Sequence, residues 1–152
     1  DLAGFSGYLQ DIGGSTSDGV ELIANININD DLRVHANYTY NQTKDTSGEQ
    51  RLRRPKNVAN IGFDYQVHNL TLSANVRFVK DFVDLVVDET SFASSPQPQK
   101  DYHVFDISAR YQVNASLTVF ARVENLFNQN YQDLAAFNTA GETPHIGLKY
   151  QF

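Results

Sequence analysis

Apolar and polar residues alternate one by one along most of the chain. In one stretch, Leu32, Val34 and Ala36 alternate with Arg33 and His35. A period of two residues is that of a β-strand with one apolar and one polar face. The same alternation covers residues 20–28, 32–40, 59–67, 70–78, 105–113, 117–124 and 145–152, with a weaker example near residues 5–10. The pattern therefore predicts an all-β fold of about eight antiparallel strands.

The connections between these strands are alternately short and long. Short turns are predicted at 29–31, 68–69 and 113–116, and long polar loops at 41–57, 80–101 and 125–143. Outer-membrane barrels have short turns on the periplasmic side and long loops outside, and about ten residues suffice for one tilted crossing. Tyrosines near strand ends of the apolar faces resemble an interfacial girdle: Tyr38, Tyr40, Tyr65, Tyr111 and Tyr150. We therefore predict transmembrane β-barrel strands.

A soluble, secreted β-sandwich is the first alternative, because its strands alternate in the same way. A second alternative is an eight-stranded outer-membrane barrel that closes on itself and has a structural or adhesive role. The interior of so small a barrel is filled by side chains, so it would not transport a nutrient. An open sheet in lipid would leave unpaired backbone groups at its edges, so further strands are needed if the barrel does not close.

The polar faces of the predicted strands carry charges of both signs, so they can neutralise one another within a water-filled lumen. The residues predicted to line that lumen are Arg33, Arg77, Asp106, Arg110, Arg122, Glu124 and Lys149.

Composition excludes several classes of protein. The chain has 152 residues, of which 41% are hydrophobic and 20% charged, and no apolar run approaches the ~20 residues of a membrane-spanning helix. A net charge of −6 argues against a nucleic-acid partner, since binding to phosphates needs clustered basic residues. The absence of cysteine excludes disulfides, thiolate metal sites and cysteine nucleophiles. The chain begins without Met or a leader, from which we expect a piece of a longer product.

No residue pattern indicates catalysis or a metal site. His103 and Asp106 lie three positions apart on one predicted strand, so they point to opposite faces. No Gly-Xaa-Ser-Xaa-Gly nucleophile elbow is present in the sequence. Asp84, Asp88 and Glu89 could offer oxygen ligands to calcium, but no EF-hand spacing joins them. We predict no catalytic residue, no metal, no cofactor and no enzyme activity.

The long loops hold the candidates for ligand binding. Residues 44–56 have a net charge of +3 and residues 81–101 a net charge of −4, and these opposite signs argue against an ion-selective porin. Arginine can contact an anionic ligand or lipopolysaccharide phosphates, and aromatic rings suit a bulky, uncharged nutrient. The simpler alternative is that these side chains are solvated or pack among the loops. The candidates are Arg51, Arg53, Arg54, Phe92, Tyr102, Tyr131 and Phe137.

The end of the chain resembles the closing strands of TonB-dependent outer-membrane receptors. The matching element consists of residues 124–127 (ENLF) with Tyr131, followed by Gly141 in the loop and the terminal Phe152. Upstream, residues 17–26 (SDGVELIANI) and 51–65 (RLRRPKNVANIGFDY) resemble strand entries of the same family. Glu142 stands where the family more often has Arg, and the sequence contains neither a plug nor a TonB box.

The resemblance implies a fold, a location and a function. Residues 1–152 would be the C-terminal part of a receptor barrel in the bacterial outer membrane, namely the last eight strands of a larger barrel, without the plug domain. The receptor would import a scarce nutrient, such as cobalamin or a siderophore, with energy supplied through TonB. The motifs RLRR and NTAG favour a cobalamin-type receptor.

The same resemblance implies the partners of the chain. They are outer-membrane lipid and lipopolysaccharide, the remaining barrel strands and plug of the receptor, and the TonB complex acting through that plug. The barrel-assembly machinery would read the C-terminal strand, with Tyr150 and Phe152 as the assembly signal.

Overall fold

The computed structural model describes residues 13–152, which form β-strands, turns and loops. The nine strands are β1 (Thr16–Asn27), β2 (Leu32–Lys44), β3 (Asn57–Val67), β4 (Leu70–Lys80), β5 (Val83–Val87), β6 (Ser94–Pro98), β7 (Tyr102–Gln112), β8 (Leu117–Glu124) and β9 (Thr143–Tyr150). Over this part of the chain, no helix is long and apolar enough to cross a membrane. The strand predicted near residues 5–10 lies outside the described residues.

Seven strands form one antiparallel sheet in the order β1-β2-β3-β4-β7-β8-β9. Each of them pairs with its neighbour in the chain, except where β5 and β6 intervene between β4 and β7. The all-β, antiparallel fold class is thus confirmed. The short turns after β1, β3 and β7 lie at one end of the sheet, which we call the short-turn end. The long loops lie at the opposite, long-loop end.

The prediction of a loop without strands at 80–101 is wrong, because this segment contains a separate β-hairpin. Strands β5 and β6 pair antiparallel from Val83 opposite Pro98 to Val87 opposite Ser94. The β-branched residues Val83, Val86 and Val87 support β5 as a strand. Strand β6 carries prolines, which fit a two-stranded ribbon because each strand has an open edge. These short strands among acidic, Ser and Pro residues gave too weak a pattern to predict.

The register separates the large sheet into one apolar and one polar face. On the apolar face, Phe63 lies opposite Ala74, Ala74 opposite Ile107, and Ile107 opposite Val123. The side chains of this face are accessible, with Leu72 exposed by 41% and Leu148 by 70%. One row of the other face crosses six strands through Arg33, Asp64, Ser73, Ser108, Arg122 and His145. No second sheet packs on the apolar face within residues 13–152.

The buried apolar side chains lie on the polar face, at the long-loop end. Val79, Phe82, Tyr102 and Val104 form this cluster, and Tyr131 packs against it. Val79 is the register partner of Tyr102, which places both side chains on the face opposite to Phe78 and His103. Near the long-loop end, this otherwise polar face is therefore covered by apolar side chains, and the loops fold over them.

Candidate functional site

The long loops are joined by one buried carboxylate, that of Asp84 in β5. The residue as a whole is 0% exposed. Oδ1 accepts hydrogen bonds from Arg53 Nε and from the Leu85 amide, each at 2.8 Å. Oδ2 accepts a hydrogen bond from the Ala135 amide at 2.8 Å. Because Arg53 and Ala135 belong to different loops, Asp84 connects loop 45–56, the β5–β6 hairpin and loop 125–142. We call these three segments the loop layer.

The bonds to Asp84 also determine its charge state. Burial alone would raise the pKa of this carboxyl, because water no longer solvates the anion. The hydrogen bonds from Ala135, Arg53 and Leu85, together with the positive charge of Arg53, outweigh burial and lower the pKa below its ordinary value. Asp84 is therefore an anion at neutral pH, and these donors stabilise its charge.

Backbone contacts hold Arg53 in position. Its φ of 58° lies in the left-handed region, which is uncommon for a residue other than glycine. Its amide donates to the Val83 carbonyl at 2.8 Å. Nearby, the Gln50 side-chain amide donates to the Arg54 carbonyl at 3.0 Å and to the Asp81 carbonyl at 2.8 Å. Loop 45–56 is thus hydrogen-bonded along the segment that leads into β5.

An aromatic cluster fastens loop 125–142 to the sheet. The rings of Tyr102 and Tyr131 stack with their centroids 4.6 Å apart. The guanidinium carbon of Arg77 lies 5.5 Å from the centroid of Tyr102 and 5.8 Å from that of Tyr131, which is cation–π distance. The Tyr102 hydroxyl donates to the Asp133 carboxylate, whose other oxygen lies 3.7 Å from Arg77 Nη2. Phe82 meets Tyr102 edge to face.

Asn125 organises the start of loop 125–142. Its φ of 51° is a left-handed conformation that asparagine tolerates better than most residues. Its backbone amide donates to Asp106 Oδ1 at 2.8 Å. Its side-chain amide donates to the carbonyls of Gln129 at 2.9 Å and Ala140 at 3.2 Å, and its Oδ1 accepts from the Gln129 amide at 2.8 Å. The buried side chain of Asn125 thereby joins the two ends of the loop, and its backbone amide joins them to β7.

Two aromatic rings of the loop layer remain accessible. Phe92, in the turn of the β5–β6 hairpin, is exposed by 82%, and Phe137 is exposed by 69%. The hairpin turn is held by Asp88, whose Oδ1 accepts bonds from the Ser91 amide at 2.7 Å and the Thr90 amide at 3.0 Å. These bonds lower the pKa of Asp88. Asp88 thus has a turn-forming role, and Phe92 projects from an ordered support.

The polar face has room for a large occupant. An open cavity of about 1060 Å³ extends across it towards the short-turn end, with Arg33, Asp64, Arg110, Arg122 and His145 among its lining residues. A smaller one, of about 220 Å³, lies under the loop layer between Arg77, Asp106, Glu124 and Tyr131. Charges, amides and hydroxyls dominate both linings, so the face suits a hydrated or polar occupant.

Comparison with known protein families identifies the family to which this sheet belongs. The model of the family described as "TonB dependent receptor-like, beta-barrel" matches residues 1–126. The chain belongs to this TonB-dependent receptor β-barrel family. The antiparallel sheet with alternating short turns and long loops is thus a section of a receptor barrel.

Solved structures of receptors contain the same arrangement of strands. The ferripyoverdine receptor of the outer membrane of Pseudomonas aeruginosa, bound to ferripyoverdine, is 20% identical with a TM-score of 0.78, over 91% of this chain and 20% of the receptor. The siderophore receptor PiuA from Acinetobacter baumannii is 23% identical with a TM-score of 0.65, over 90% of this chain and 22% of that protein. The FrpB iron transporter from Neisseria meningitidis is 17% identical with a TM-score of 0.70, over 91% and 24%. The chain therefore spans between a fifth and a quarter of the length of these proteins.

The loop residues predicted to bind a ligand have different environments in this receptor barrel. Arg53 bonds to Asp84, and Tyr102 and Tyr131 stack on each other. Phe92, Phe137, Arg51 and Arg54 are exposed. Tyr102 and Tyr131 are therefore the packed members of the predicted set, whereas Arg53 stays exposed although it bonds to Asp84. Ligand binding by either group stays a prediction.

The residues predicted to line the lumen share the polar face. Arg33, Arg110 and Arg122 lie along the larger cavity, Arg77, Asp106 and Glu124 along the smaller one, and Lys149 at the short-turn end. Arg122 Nη2 lies 3.1 Å from Glu124 Oε1 and His145 Nε2 lies 3.6 Å from Glu124 Oε2. That this face lines a lumen stays a prediction, as does the assembly signal. In that signal the rings of Tyr150 and Phe152 meet edge to face, with centroids 5.2 Å apart.

Sequence reasoning missed Asp84 and Asp133 as organising residues. The opposite net charges of loops 44–56 and 81–101 were a signal that Arg53 and Asp84 could pair across the loops, but alternative partners were too numerous to select one. It also missed Phe120, an aromatic residue on the polar face. The Phe120 ring covers Gly147 so closely that an added Cβ there would overlap it.

Proposed function

We propose that the chain is the C-terminal part of the barrel of an outer-membrane receptor that imports a scarce nutrient with energy supplied through TonB. The family supports the role of a TonB-dependent receptor, and the sheet with one apolar and one polar face supports the location in a membrane. The observation with the most weight is the continuous accessible apolar face. In water, exposed apolar surface of this extent is unfavourable, whereas the hydrocarbon core of a membrane requires it. The proposal assigns the chain no catalytic role.

The edges of the sheet favour a piece of a larger barrel over an eight-stranded barrel closed on itself. Strands β1 and β9 end the sheet on opposite sides and do not pair with each other in the described part of the chain. Unpaired edge groups cost several kcal/mol each in hydrocarbon, so both edges need partner strands. This chain covers only 20–24% of the similar receptors, so the rest of such a protein has room for those strands and for a plug. Self-closure through residues before Gly13 is the alternative.

The accessible rings and guanidinium groups of the loop layer are the proposed ligand contacts. Phe92 and Phe137 offer apolar surface, and Arg51 and Arg54 offer positive charge for an anionic metal chelate. The names of the similar structures include siderophore and iron substrates, which supports an iron chelate as the substrate.

The cobalamin interpretation receives no comparable support. The two motifs that favoured it organise the loop layer: Arg53 of RLRR bonds to Asp84, and in NTAG the Thr139 hydroxyl donates to the Tyr131 carbonyl at 2.7 Å. Residues with such structural tasks do not discriminate between nutrients. We therefore place a ferric siderophore ahead of cobalamin as the substrate class.

Uptake measurements test this proposal. Cells that contain the complete receptor and cells that lack it are given radiolabelled ferric siderophores or labelled cobalamin, each with and without an active TonB. We expect receptor-dependent and TonB-dependent uptake of a ferric siderophore. Uptake of cobalamin alone would change the substrate class, and uptake that ignores TonB would overturn the transport proposal. A receptor in which Phe92 and Phe137 are replaced by alanine should lose affinity for the substrate while its amount in the membrane is unchanged.

A further inference from the structure

Left-handed backbone conformations are concentrated in the long loops. Within residues 13–152, seven residues other than glycine have a positive φ, and six of them lie at the long-loop end: Arg53, Asp81, Phe92, Asn125, Asn128 and Ala136. This conformation is unfavourable for most residues that have a Cβ, so it persists only where surrounding contacts hold it. Such residues are found most often at ligand-binding and switch regions. The long loops are thus held in conformations that several of their own residues do not favour.

Both accessible rings of the loop layer lie at such positions. Phe92 has a φ of 55°, and Phe137 directly follows Ala136, whose φ is 67°. Neither Phe92 nor Ala136 is a glycine or an asparagine, which adopt this conformation most readily. The direction in which each ring projects therefore depends on the contacts that hold the backbone beside it.

Asp84 holds the turn that presents Phe137. The Phe137 amide donates to the Leu134 carbonyl at 3.1 Å, which closes a four-residue turn. Of its two central residues, Ala135 and Ala136, only the second has a positive φ, which defines a type II turn. Glycine normally occupies that second central position. The Ala135 amide donates to Asp84 Oδ2 at 2.8 Å, so the buried carboxylate holds a turn that lacks the favourable glycine.

The other oxygen of the same carboxylate fixes its orientation. Asp84 Oδ1 accepts bonds from Arg53 Nε and from the Leu85 amide, each at 2.8 Å. Arg53 is itself held, because its amide donates to a carbonyl of β5 at 2.8 Å. With Oδ1 bonded on this side, Oδ2 remains for the Ala135 amide. The carboxylate thereby links the turn to the β5–β6 hairpin in one orientation.

Phe92 has a separate support. The Asp88 carbonyl accepts a hydrogen bond from the Phe92 amide at 2.8 Å, and Asp88 Oδ1 accepts the amides of Thr90 and Ser91. None of these bonds involves Asp84. Phe92 is therefore an internal comparison for Phe137, since it is an accessible ring of the same loop layer that a different aspartate holds.

We propose that Asp84 is the positioning residue of the ligand site and that its carboxylate holds the Phe137 ring in the orientation that contacts the substrate. The inference rests on the proposed function, in which Phe137 binds the substrate. A side chain that is already ordered loses less freedom on binding, so the site binds more tightly. Asp84 contributes in this way without touching the substrate, because it is fully buried.

Two variants break the contact from opposite sides. Asp84→Ala removes the acceptor. Ala135→Pro removes the amide hydrogen and keeps the turn, because proline is common at the first central position of a type II turn. Ala135→Pro leaves Asp84 and Arg53 unchanged, so it tests the contact even if Asp84→Ala prevents assembly of the receptor.

Binding is measured on cells that contain the complete receptor and lack an active TonB, so that no uptake follows. The probes are ferripyoverdine, ferrichrome, a ferric catecholate and cobalamin, each radiolabelled. For the probe that the wild type binds, we expect each variant to lower the affinity about tenfold, as for the loss of one buried hydrogen bond. The amount of the Ala135→Pro receptor in the membrane should be unchanged.

The two rings distinguish positioning from a general loss of structure. Ala135→Pro should weaken binding by the same factor in a Phe92→Ala receptor as in the wild type, and should have almost no further effect in a Phe137→Ala receptor. Asp88→Ala, which loosens the turn of Phe92, should show the reverse dependence.

Two results would contradict the inference while the proposed function stands. They are an unchanged affinity of the Ala135→Pro receptor, and a loss of affinity from Ala135→Pro that is equally large in the Phe137→Ala receptor. A wild-type receptor that binds none of the probes would overturn the proposed function, and the inference with it.

Discussion

Arg53 Nε and Asp84 Oδ1 lie 2.8 Å apart across a separation of 31 residues, with Arg53 exposed by 58% and Asp84 by 1% in their side chains. The pair is therefore asymmetric. Water can solvate the guanidinium group if the pair breaks, but the carboxylate has only its three protein donors. Loss of this contact should therefore be more costly at Asp84 than at Arg53.

Replacement of Asp84 by asparagine should loosen the loop layer. The amide keeps the volume but loses the charge and offers one acceptor oxygen in place of two, so the Ala135 or the Arg53 bond is lost. A buried hydrogen bond of this kind contributes about 1–3 kcal/mol. Trypsin cleavage after Arg51 in the folded protein should accelerate about tenfold, as expected for 1.4 kcal/mol. The control is Asp88→Asn, which affects only the exposed hairpin turn; equal rates in the two variants would contradict the role of Asp84.

Acid should release the same contacts. The pKa of Asp84 is lower in the folded protein than the ordinary aspartate value of 3.8, so the anion stabilises the folded loops. This contribution is complete above about pH 4 and is lost as the pH falls through the lower, folded pKa. The NMR signal of the Ala135 amide should keep its position down to pH 4 and shift below it. A shift centred between pH 5 and pH 7 would show that Asp84 does not control this contact.

An arginine should be tolerated on one face of β4 and not on the other. Leu72→Arg places a charge on the apolar face and should cost roughly 2–4 kcal/mol if the site lies near the middle of the membrane. Ser73→Arg, on the polar face beside Asp64, should have a small effect. Urea unfolding from lipid vesicles measures both. Equal losses at the two positions would defeat the assignment of the faces.

Substitutions at Phe120 and Gly147 should have coupled effects on the free energy of unfolding. Gly147→Ala places a methyl group against the Phe120 ring, and the strain should cost about 1–3 kcal/mol. Phe120→Ala removes the ring, so the double variant should be more stable than the sum of the single changes predicts. Urea unfolding of the wild type, the two single variants and the double variant gives the coupling free energy in a double-mutant cycle. Strict additivity would mean that the ring moves aside without cost.

The fold was largely predictable because the two-residue period is repeated in every long strand. Residues 117–124 were predicted with the bounds of β8, and the other large strands within a few residues. Because one face of the sheet is apolar and the other polar, apolar and polar residues must alternate along each strand, and this alternation can be read from the sequence. The β5–β6 hairpin escaped prediction because its five-residue strands are stabilised by contacts with other loops, such as those of Asp84.

The loop layer was much less predictable than the sheet. The turn at Asn125 matches a short motif of the family, but its hydrogen bonds to Gln129 and Ala140 depend on where residue 140 returns. Tyr102 and Tyr131 were expected to face a ligand, and the structure stacks them on each other with Arg77. Local sequence cannot distinguish an aromatic ring that packs from one that binds, because both need the same apolar surface.

The contact between the apolar face and lipid hydrocarbon is tested most directly with single tryptophans, since the chain has none of its own. Any tryptophan outside residues 1–152 is first replaced by phenylalanine. One tryptophan is then placed at Leu72 or Ser73 on β4, or at Ile107 or Ser108 on β7, in receptor reconstituted into vesicles with lipids brominated on the acyl chains. We predict strong quenching of fluorescence at 72 and 107 and weak quenching at 73 and 108. Equal quenching at adjacent positions, or none at 72 and 107, would contradict the membrane assignment on which the transport proposal rests.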